Sequence, residues 1–338
     1  MIILLDIVHM ADVNFFKKAI SLLKEHGHQV IITCTDRGNL VKVLRKEINP
    51  VSLKVIGIHS KGKFIAKSIK SLARVGMLRK YIRQQKPDVV ASFGYYPAAA
   101  TYGTKVRSLA FHDDKEYWQM FSLCKLFAKK FVIPSFVSTS GRNIVKYHSY
   151  KEWAYLSPKY FSPSNMVLDK YGLKENKYIF ARIVARISLN YSNQDIKELS
   201  LSKLAADLKK KGLKLVVSLE DKSIADKLKG CIILEEPVDD IYSLIFHSLA
   251  MLTSGDTMAR EAALLGVPSF YLGGRNMEIN KDLIKNNLMH IIAPDEIEKH
   301  LLSLTAADKK ISRLEAAEYT KNLDDATMVI VGALEGDL

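Results

Sequence analysis

Runs of consecutive aliphatic residues alternate along this chain with segments in which apolar residues recur every three or four positions. A short aliphatic run is typical of a buried β-strand, whereas apolar residues at every third or fourth position are typical of a helix packed on one side. In the first half these runs predict strands at 2–8, 29–35, 53–58, 88–94, 107–111 and 130–134, the last of which we expect to complete that half's sheet. In the second half they predict strands at 178–184, 213–220, 231–236, 249–254, 268–272 and 289–293.

The order of these elements predicts an α/β protein with two domains. Repeated strand–helix units imply doubly wound parallel sheets with helices on both faces. Residues 153–165 contain two Ser-Pro pairs and show neither the strand pattern nor the helix pattern, so we place the connection between the domains there. We expect a Rossmann-like N-terminal domain at 1–155, a linker at 156–165, a second Rossmann-like domain at 166–303 and a helical tail at 304–338.

The expected architecture also predicts where a ligand binds. Open parallel sheets bind ligands outside the carboxyl ends of their strands, and two such sheets joined by a linker are expected to face a central cleft. The loops that follow the strands should then surround one site. These loops lie at 8–12, 94–97, 112–116, 182–190, 236–239 and 254–257.

Composition narrows the class of protein. The chain has 338 residues, of which 48% are hydrophobic and 25% charged, as in ordinary globular proteins. No apolar run reaches the roughly 18 residues that span a bilayer, and the N-terminus is typical of a first strand, not of a signal peptide. Cys34, Cys124 and Cys231 are far apart, so neither a disulfide framework nor a zinc site is indicated. We expect a cytoplasmic protein, and no cofactor is indicated.

The positive charge is concentrated in one segment. The net charge is +14, and no acidic residue occurs between Glu47 and Asp88. The predicted helix at 61–86 intersperses cations with apolar residues, which fits either docking on an anionic membrane surface or packing on the sheet with solvated lysines. Nucleic-acid binding is not indicated, because aromatic residues do not alternate with the cations of this segment, which has just Phe64 and Tyr81, and it contains no known RNA- or DNA-binding motif.

The most informative segment is LTSGDTMAREAALLGVPSFYL at 252–272. It predicts a strand, a sharp turn at Ser254 and Gly255, a helix capped by Asp256 or Thr257, and a second strand. Free amides and the positive end of the dipole at such a helix start suit a diphosphate. Glu261 follows one turn later, where its carboxylate either accepts hydrogen bonds from ribose hydroxyls or faces solvent.

This segment resembles the donor-binding signature of GT-B glycosyltransferases and of UDP-N-acetylglucosamine 2-epimerases. In the transferases that add N-acetylglucosamine to lipid I, the corresponding Ser-Gly, Glu and Gly-x-Pro have the spacing of Ser254-Gly255, Glu261 and 266–268. The resemblance implies a GT-B fold. It further implies that Val238 lies beside the uracil ring, that the backbone of 255–257 holds the diphosphate and that Glu261 binds the ribose.

Over most of residues 1–303 the chain is similar to a largely archaeal GT-B-like family known as a domain of unknown function. The segments that carry this similarity are DIVHMADVNFFKKAI (6–20), KPDVVASFG (86–94), FHDD (111–114), YLSPKYFSP (155–163) and SGDTMAREAALLGVP (254–268). The similarity supports the fold more strongly than any one reaction.

The loop after the first strand, VHMADVNFF, contains two candidates for a catalytic base. In the related transferases a Gly-rich loop ends in a His at this place, whereas the matching residue here is Asp12. His9 lies three residues earlier and is the alternative base. Asp12 is equally interpretable as the N-cap of the helix that follows.

Further polar candidates follow the fourth and fifth strands. Gly94 allows either a close approach of the backbone to a substrate or a tight turn before a helix. After the fifth strand, His112, Asp113, Asp114 and Glu116 form a cluster that suits substrate binding, proton transfer or metal binding, although N-capping of the next helix is favoured for one of the two aspartates. The resemblance to the 2-epimerases, in which acidic residues of this loop take part in catalysis, gives the cluster a second interpretation. No DxD triplet occurs, so we expect metal-independent chemistry.

Arg182, with Arg186 as a second choice, is the candidate cation for the leaving diphosphate, unless it is a solvated surface residue. The leading hypothesis is a glycosyltransferase that moves a sugar, such as an N-acetylhexosamine, from UDP to a lipid-linked or glycan acceptor on the inner face of a membrane. One alternative is an enzyme resembling the UDP-N-acetylglucosamine 2-epimerases, and another is a protein that binds nucleotide-sugars without catalysis.

Overall fold

The computed structural model describes residues 1–58, 64–183, 201–219, 225–226, 228–235, 238–293 and 295–337, and of residues 64–67 and 183 only the backbone. These residues form two compact units. Unit 1 comprises Met1–Tyr160 and Asp324–Leu338, and unit 2 comprises Phe161–Leu323. The two units divide at residue 160, inside the segment expected to be the linker.

Unit 1 is built on a parallel sheet of seven strands. The strands are β1 (Ile2–Ile7), β2 (Gln29–Asp36), β3 (Ser52–Ile58), β4 (Val89–Ser92), β5 (Arg107–Phe111), β6 (Lys130–Pro134) and β7 (Ile144–Tyr147). Their order is β3-β2-β1-β4-β5-β6-β7, so the winding direction reverses between β1 and β4. The helices are α1 (Met10–Glu25), α2 (Leu40–Glu47), α3 (Phe64–Gln85), α4 (Tyr96–Ala100), α5 (Trp118–Phe127) and α6 (Trp153–Leu156).

Two expectations for this unit are wrong. The strand at 130–134 does not complete the sheet, because β7 pairs with β6 in parallel. Only Tyr147 of this short edge strand is buried, so no aliphatic run indicates the strand. Residues 153–156, expected to be irregular, form α6, whose four side chains are all buried. The Ser-Pro pairs follow this helix and do not overlap it.

Unit 2 contains a parallel sheet of six strands in the order β10-β9-β8-β11-β12-β13. The strands are β8 (Tyr178–Ile183), β9 (Lys214–Leu219), β10 (Ile232–Leu234), β11 (Ala250–Thr253), β12 (Ser269–Tyr271) and β13 (Met289–Ile291). The helices are α7 (Met166–Tyr171), α8 (Leu201–Lys210), α9 (Ile241–His247), α10 (Asp256–Leu264), α11 (Glu278–Lys285), α12 (Ile297–Ser303) and α13 (Ala306–Thr320). The predicted helix at 223–228 falls largely outside the described residues.

The segment expected to be one helical tail is shared by the two units. Helix α13 belongs to unit 2, while the last helix, α14 (Ala326–Glu335), belongs to unit 1 and packs on α1 and α6. Two parallel α/β domains with doubly wound sheets confirm the predicted fold class. Among the described residues, no helix combines the length and hydropathy needed to cross a bilayer.

Candidate functional site

The loop after β1 places His9 and Asp12 at the start of α1. His9 is the N-cap, and its Nδ1 accepts a hydrogen bond from the amide of Ala11 at 3.2 Å. Asp12 occupies the third helical position, where Oδ2 accepts the amides of Val8 at 3.2 Å and of His9 at 2.9 Å. The two side chains thus form a capping box. The alternative that Asp12 is itself the N-cap is wrong, because the helix begins before it.

Asp12 has an unusual electrostatic environment for a carboxylate. Burial raises its pKa to about 7, although the amides of Val8 and His9 and the charge of Lys151 act in the opposite direction. Its second oxygen, Oδ1, accepts no hydrogen bond from the part of the chain that the structure describes. A buried carboxylate with a pKa near neutrality and a lone pair available is suited to act as a general base.

The loop after β5 brings a second group of titratable side chains to the same sheet edge. His112, Asp113 and Asp114 are all buried. The Nδ1 atom of His112 accepts the amide of Asp114 at 3.2 Å, and burial lowers the pKa of the imidazole. Oδ1 of Asp114 accepts the amide of Glu116 at 2.8 Å, which identifies Asp114 as the residue that stabilises the turn after β5.

Asp113 is paired with a residue that the sequence did not single out. The Nζ atom of Lys151 lies 2.7 Å from Oδ2 of Asp113 and 5.1 Å from the ring centre of Phe93. Lys151 follows β7, the strand that no aliphatic run predicts. The sequence therefore gave no indication that Lys151 lies beside Asp113. The ligand atoms of His112, Asp113 and Asp114 lie within 4.8 Å of one another, a spacing that suits proton exchange or a cation.

Gly94 lies in the turn between β4 and α4. Its φ of 149° is in the region that favours glycine, and the Oγ atom of Ser92 donates to its carbonyl at 2.7 Å. Among the described residues, the one atom that a Cβ at this position would meet within 4 Å is the sulfur of Met120, at 4.0 Å. The backbone conformation of the turn therefore accounts for a glycine at this position. A close approach of a substrate to the backbone of Gly94 remains compatible with this geometry.

One member of the predicted basic patch is not a surface residue. Arg74 of α3 is 5% exposed and forms a two-point ion pair with the fully buried Asp6 of β1, at 2.7 and 2.9 Å. Its Nε atom also donates to the carbonyl of Ile56 at 3.0 Å. This arginine holds α3 against the sheet and contributes nothing to a patch on the surface of unit 1.

In unit 2, α10 begins directly after β11. Ser254 is fully buried, and the amide of Gly255 donates to Oγ1 of Thr253 at 3.0 Å. Gly255 is the N-cap, and within the described chain no side chain caps this helix. The first amides of α10 are therefore available to a ligand, and both Gly255 and Thr257 are half-exposed.

The side chain of Asp256 has a different role from the one the sequence suggests. Its carboxylate is buried, accepts a hydrogen bond from the hydroxyl of Tyr271 and pairs with Arg275 at 2.6 Å. Asp256 therefore ties the start of α10 to β12 and the loop after it. Only the backbone amide of this residue remains available to a diphosphate.

Glu261 does not face solvent, so that alternative is wrong. It is 4% exposed, and its Oε1 atom accepts a hydrogen bond from the hydroxyl of Tyr242 at 3.2 Å. Tyr242 is half-buried on α9 and was not singled out in the sequence. A carboxylate one turn from a helix start is of the chemical type that accepts hydrogen bonds from ribose hydroxyls.

The other candidates of unit 2 lie at the same edge of its sheet. Arg182, at the end of β8, is half-buried, donates to the hydroxyl of Ser218 and accepts the amide of Ser254 through its carbonyl at 3.4 Å. It is thus not a solvated surface residue. Val238 is half-buried just before α9. Arg186 lies outside the described residues.

Comparisons with known proteins agree with the fold of the chain. The chain is 25% identical over 279 residues to the uncharacterised protein MJ0665 of Methanocaldococcus jannaschii, covering 78% of this chain and 80% of that protein. A UDP-GlcNAc 2-epimerase of the same organism, solved with UDP-GlcNAc and UDP, superposes with a TM-score of 0.69 at 14% identity, covering 99% of both chains. MurG of Acinetobacter baumannii superposes with a TM-score of 0.61 at 15% identity, covering 99% and 100%.

At such identities the structural likenesses show the fold, which is GT-B. The family follows from the sequence itself, since one family model matches residues 1–335. The chain belongs to the family described as Protein of unknown function (DUF354).

Proposed function

We propose that the protein is an enzyme that binds a UDP-sugar through unit 2 and transfers the sugar to an acceptor hydroxyl or phosphate. The observation that carries the proposal is the start of α10, where uncapped amides lie one turn from the buried carboxylate of Glu261. The amides suit the diphosphate and the carboxylate suits the ribose. The 2-epimerase with bound UDP-GlcNAc has the same fold, which supports this choice of ligand.

Two further residues of unit 2 complete the proposed donor site. Arg182 lies near the end of β8 opposite Thr253 of β11, and its carbonyl accepts the amide of Ser254. We propose that its guanidinium neutralises charge that develops on the leaving diphosphate. Val238, whose counterpart in the resembling transferases lies beside the uracil, provides an apolar contact for the base. In this proposal the amides at the start of α10 and the guanidinium of Arg182 neutralise the diphosphate without a metal ion.

The proposed base is Asp12 of unit 1. Its pKa of about 7 places the carboxylate near the optimum for accepting a proton at neutral pH, and Oδ1 provides the lone pair. His9 contributes by capping α1 and holding the loop, not as the base. Gly94 and His112 are proposed to bind the substrate from the same sheet edge.

We propose further that the acceptor is lipid-linked and is reached at a membrane surface. One side of α3 packs on the sheet through Leu78 and Ile82. The opposite side is exposed and combines apolar residues with cations: Ile69, Leu72, Met77, Lys70, Lys80 and Arg83. This combination suits the interface of an anionic bilayer. Sedimentation with phosphatidylglycerol vesicles tests it, and equal binding by Leu72→Glu would contradict it.

A second candidate function is epimerisation at C2 of the sugar of UDP-N-acetylglucosamine. The observation that favours it is the buried group of His112, Asp113, Asp114 and Lys151, which holds two carboxylates, an imidazole and an ammonium group together. Such a group can remove a proton and return it on the other face. In this candidate Asp114 is the acid or base.

Incubation with UDP-N-acetylglucosamine alone, followed by NMR of the products, distinguishes these functions. Turnover only after a membrane extract is added, lost in Asp12→Asn and retained in Asp114→Asn, is the result expected of the transferase. An epimer or free sugar without acceptor, lost in Asp114→Asn, indicates the epimerase. Binding without turnover in either condition indicates a nucleotide-sugar-binding protein without catalysis and would contradict both.

A further inference from the structure

Two histidines and a glutamate from distant parts of the chain meet on unit 1, far from the loops described above. His26 and His28 flank Gly27 in the turn between α1 and β2, and Glu335 is the last residue of α14. The sequence separations of these contacts are 309 and 307 residues. The turn lies at the opposite end of α1 from His9 and Asp12.

The two imidazole rings converge on one oxygen of Glu335. Nδ1 of His26 lies 2.7 Å from Oε1 of Glu335, and Nε2 of His28 lies 2.9 Å from the same oxygen. The ligand atoms all lie within 4.8 Å of one another. One carboxylate oxygen placed between two imidazole nitrogens is a donor set of two nitrogens and one oxygen, the set that zinc and neighbouring divalent ions prefer.

The backbone fixes this arrangement before any ion binds. Gly27 has φ 80°, which turns the chain so that the histidines on either side of it point to one place. Arg107 donates to the carbonyls of Ala333, Leu334 and Glu335 at 3.1–3.3 Å and so holds the end of α14. The carboxylate is therefore presented by a capped helix end and not by a free terminus.

We propose that His26, His28 and Glu335 bind one divalent transition-metal ion, with zinc as the reference ion. Bonds of about 2.1 Å in a tetrahedral site place ligand atoms roughly 3.4 Å apart, so the two nitrogens, now 2.7 and 2.9 Å from Oε1 of Glu335, move away from that oxygen by about 0.7 and 0.5 Å. Partial exposure, with 44% for the side chain of His26 and 15% for that of His28, leaves the remaining position to water. The ion joins α14 to the turn after α1 and stabilises unit 1.

The test uses the full, untagged chain stripped of metal, because a histidine tag would bind zinc itself. Isothermal titration with Zn²⁺ is expected to give one equivalent bound, and Co²⁺ is expected to give the visible absorption of a tetrahedral site. Zn²⁺ raises the unfolding temperature, since the ion binds only the folded chain. Mg²⁺, which prefers oxygen ligands, does not.

Substitutions of the three proposed ligands test whether these residues bind the Zn²⁺ ion. His28→Ala is expected to weaken Zn²⁺ binding more than about a hundredfold, because even residues that only orient a ligand contribute about ten- to a hundredfold. Glu335→Gln keeps a hydrogen-bond acceptor for the histidines and loses the anionic ligand, so it keeps its folding while losing the zinc-dependent shift. His300→Ala, on the exposed surface of unit 2, is the matched control. Absence of one-equivalent binding, or binding that survives both His28→Ala and Glu335→Gln, would overturn the proposal.

Discussion

Replacement of Asp12 by asparagine should stabilise the fold and abolish sugar transfer. The carboxyl pKa is 3.8 in an exposed aspartate and about 7 in the folded protein, chiefly because of burial. At about 1.4 kcal/mol per pKa unit, the ionised carboxylate costs the fold up to about 4 kcal/mol. Asparagine keeps an oxygen that accepts the amides of Val8 and His9, so we expect a gain of about 2–4 kcal/mol at pH 8.

The stability that Asp12→Asn gains over the wild type increases with pH. Below pH 3.8 the carboxyl is protonated in both states, and the substitution changes little. Between pH 3.8 and about 7 the folded state keeps the proton that the unfolded chain loses, so wild-type stability falls relative to Asp12→Asn as the pH rises. Above pH 7 the difference is constant.

Urea unfolding at pH 4 and at pH 8 measures this difference. The chain's two tryptophans, Trp118 and Trp153, both belong to unit 1, so their fluorescence reports the unit that contains Asp12. Asp6→Asn is the matched control, since it removes a buried aspartate whose charge is paired with Arg74. We expect that control to lose about 3–5 kcal/mol. Destabilisation of Asp12→Asn at pH 8, or a gain equal at both pH values, would refute the reasoning.

Two further substitutions test the packing of unit 2. Gly266→Ala should lower the free energy of unfolding by about 2–4 kcal/mol, because φ is 67° and a Cβ would lie 2.7 Å from the Cα of Arg313. Gly76→Ala is the control, because a Cβ there meets no atom of the described residues within 4 Å, and urea unfolding of this variant should show no loss. Burial lowers the pKa of Lys309 from 10.5 to about 7, so the unfolded chain binds the proton more tightly. Lys309→Met should therefore gain about 2–3 kcal/mol at pH 7 after losing the bond to Asn176, and little near pH 10.5. A loss of equal size in both glycine variants, or a Lys309→Met gain that does not shrink with pH in thermal unfolding, would contradict these arguments.

Central strands such as β1, β4 and β11 were predictable because they are buried on both faces and therefore consist of apolar runs. The edge strand β7 was missed because it has only two adjacent aliphatic residues, Ile144 and Val145, before Lys146. The start of α10 directly after Gly255 was predicted from residue types, but the φ of −97° at Gly255 is one that any residue adopts, so the conformational freedom of glycine does not explain this position.

The partners of the candidate residues were not predictable, because each pair joins distant segments. Lys151 reaches Asp113 from beyond an unpredicted strand, and Tyr242 reaches Glu261 from another helix. The presence of a positive charge did not predict that a residue lies on the surface. Arg74 lies in a sequence rich in cations, yet it is buried and neutralises Asp6 in the core, unlike the exposed cations Lys70 and Lys80 of α3.

The central claim is that unit 2 holds the UDP group of a nucleotide-sugar at the start of α10. Isothermal titration of UDP into wild-type protein and into Glu261→Gln tests it most directly, with Glu315→Gln, an exposed glutamate of α13, as the charge-matched control. Loss of charged hydrogen bonds to the ribose should weaken UDP binding by about 1–3 kcal/mol in Glu261→Gln and leave the control unchanged. Equal affinity of UDP for all three proteins, or no measurable binding by the wild type, would contradict the claim.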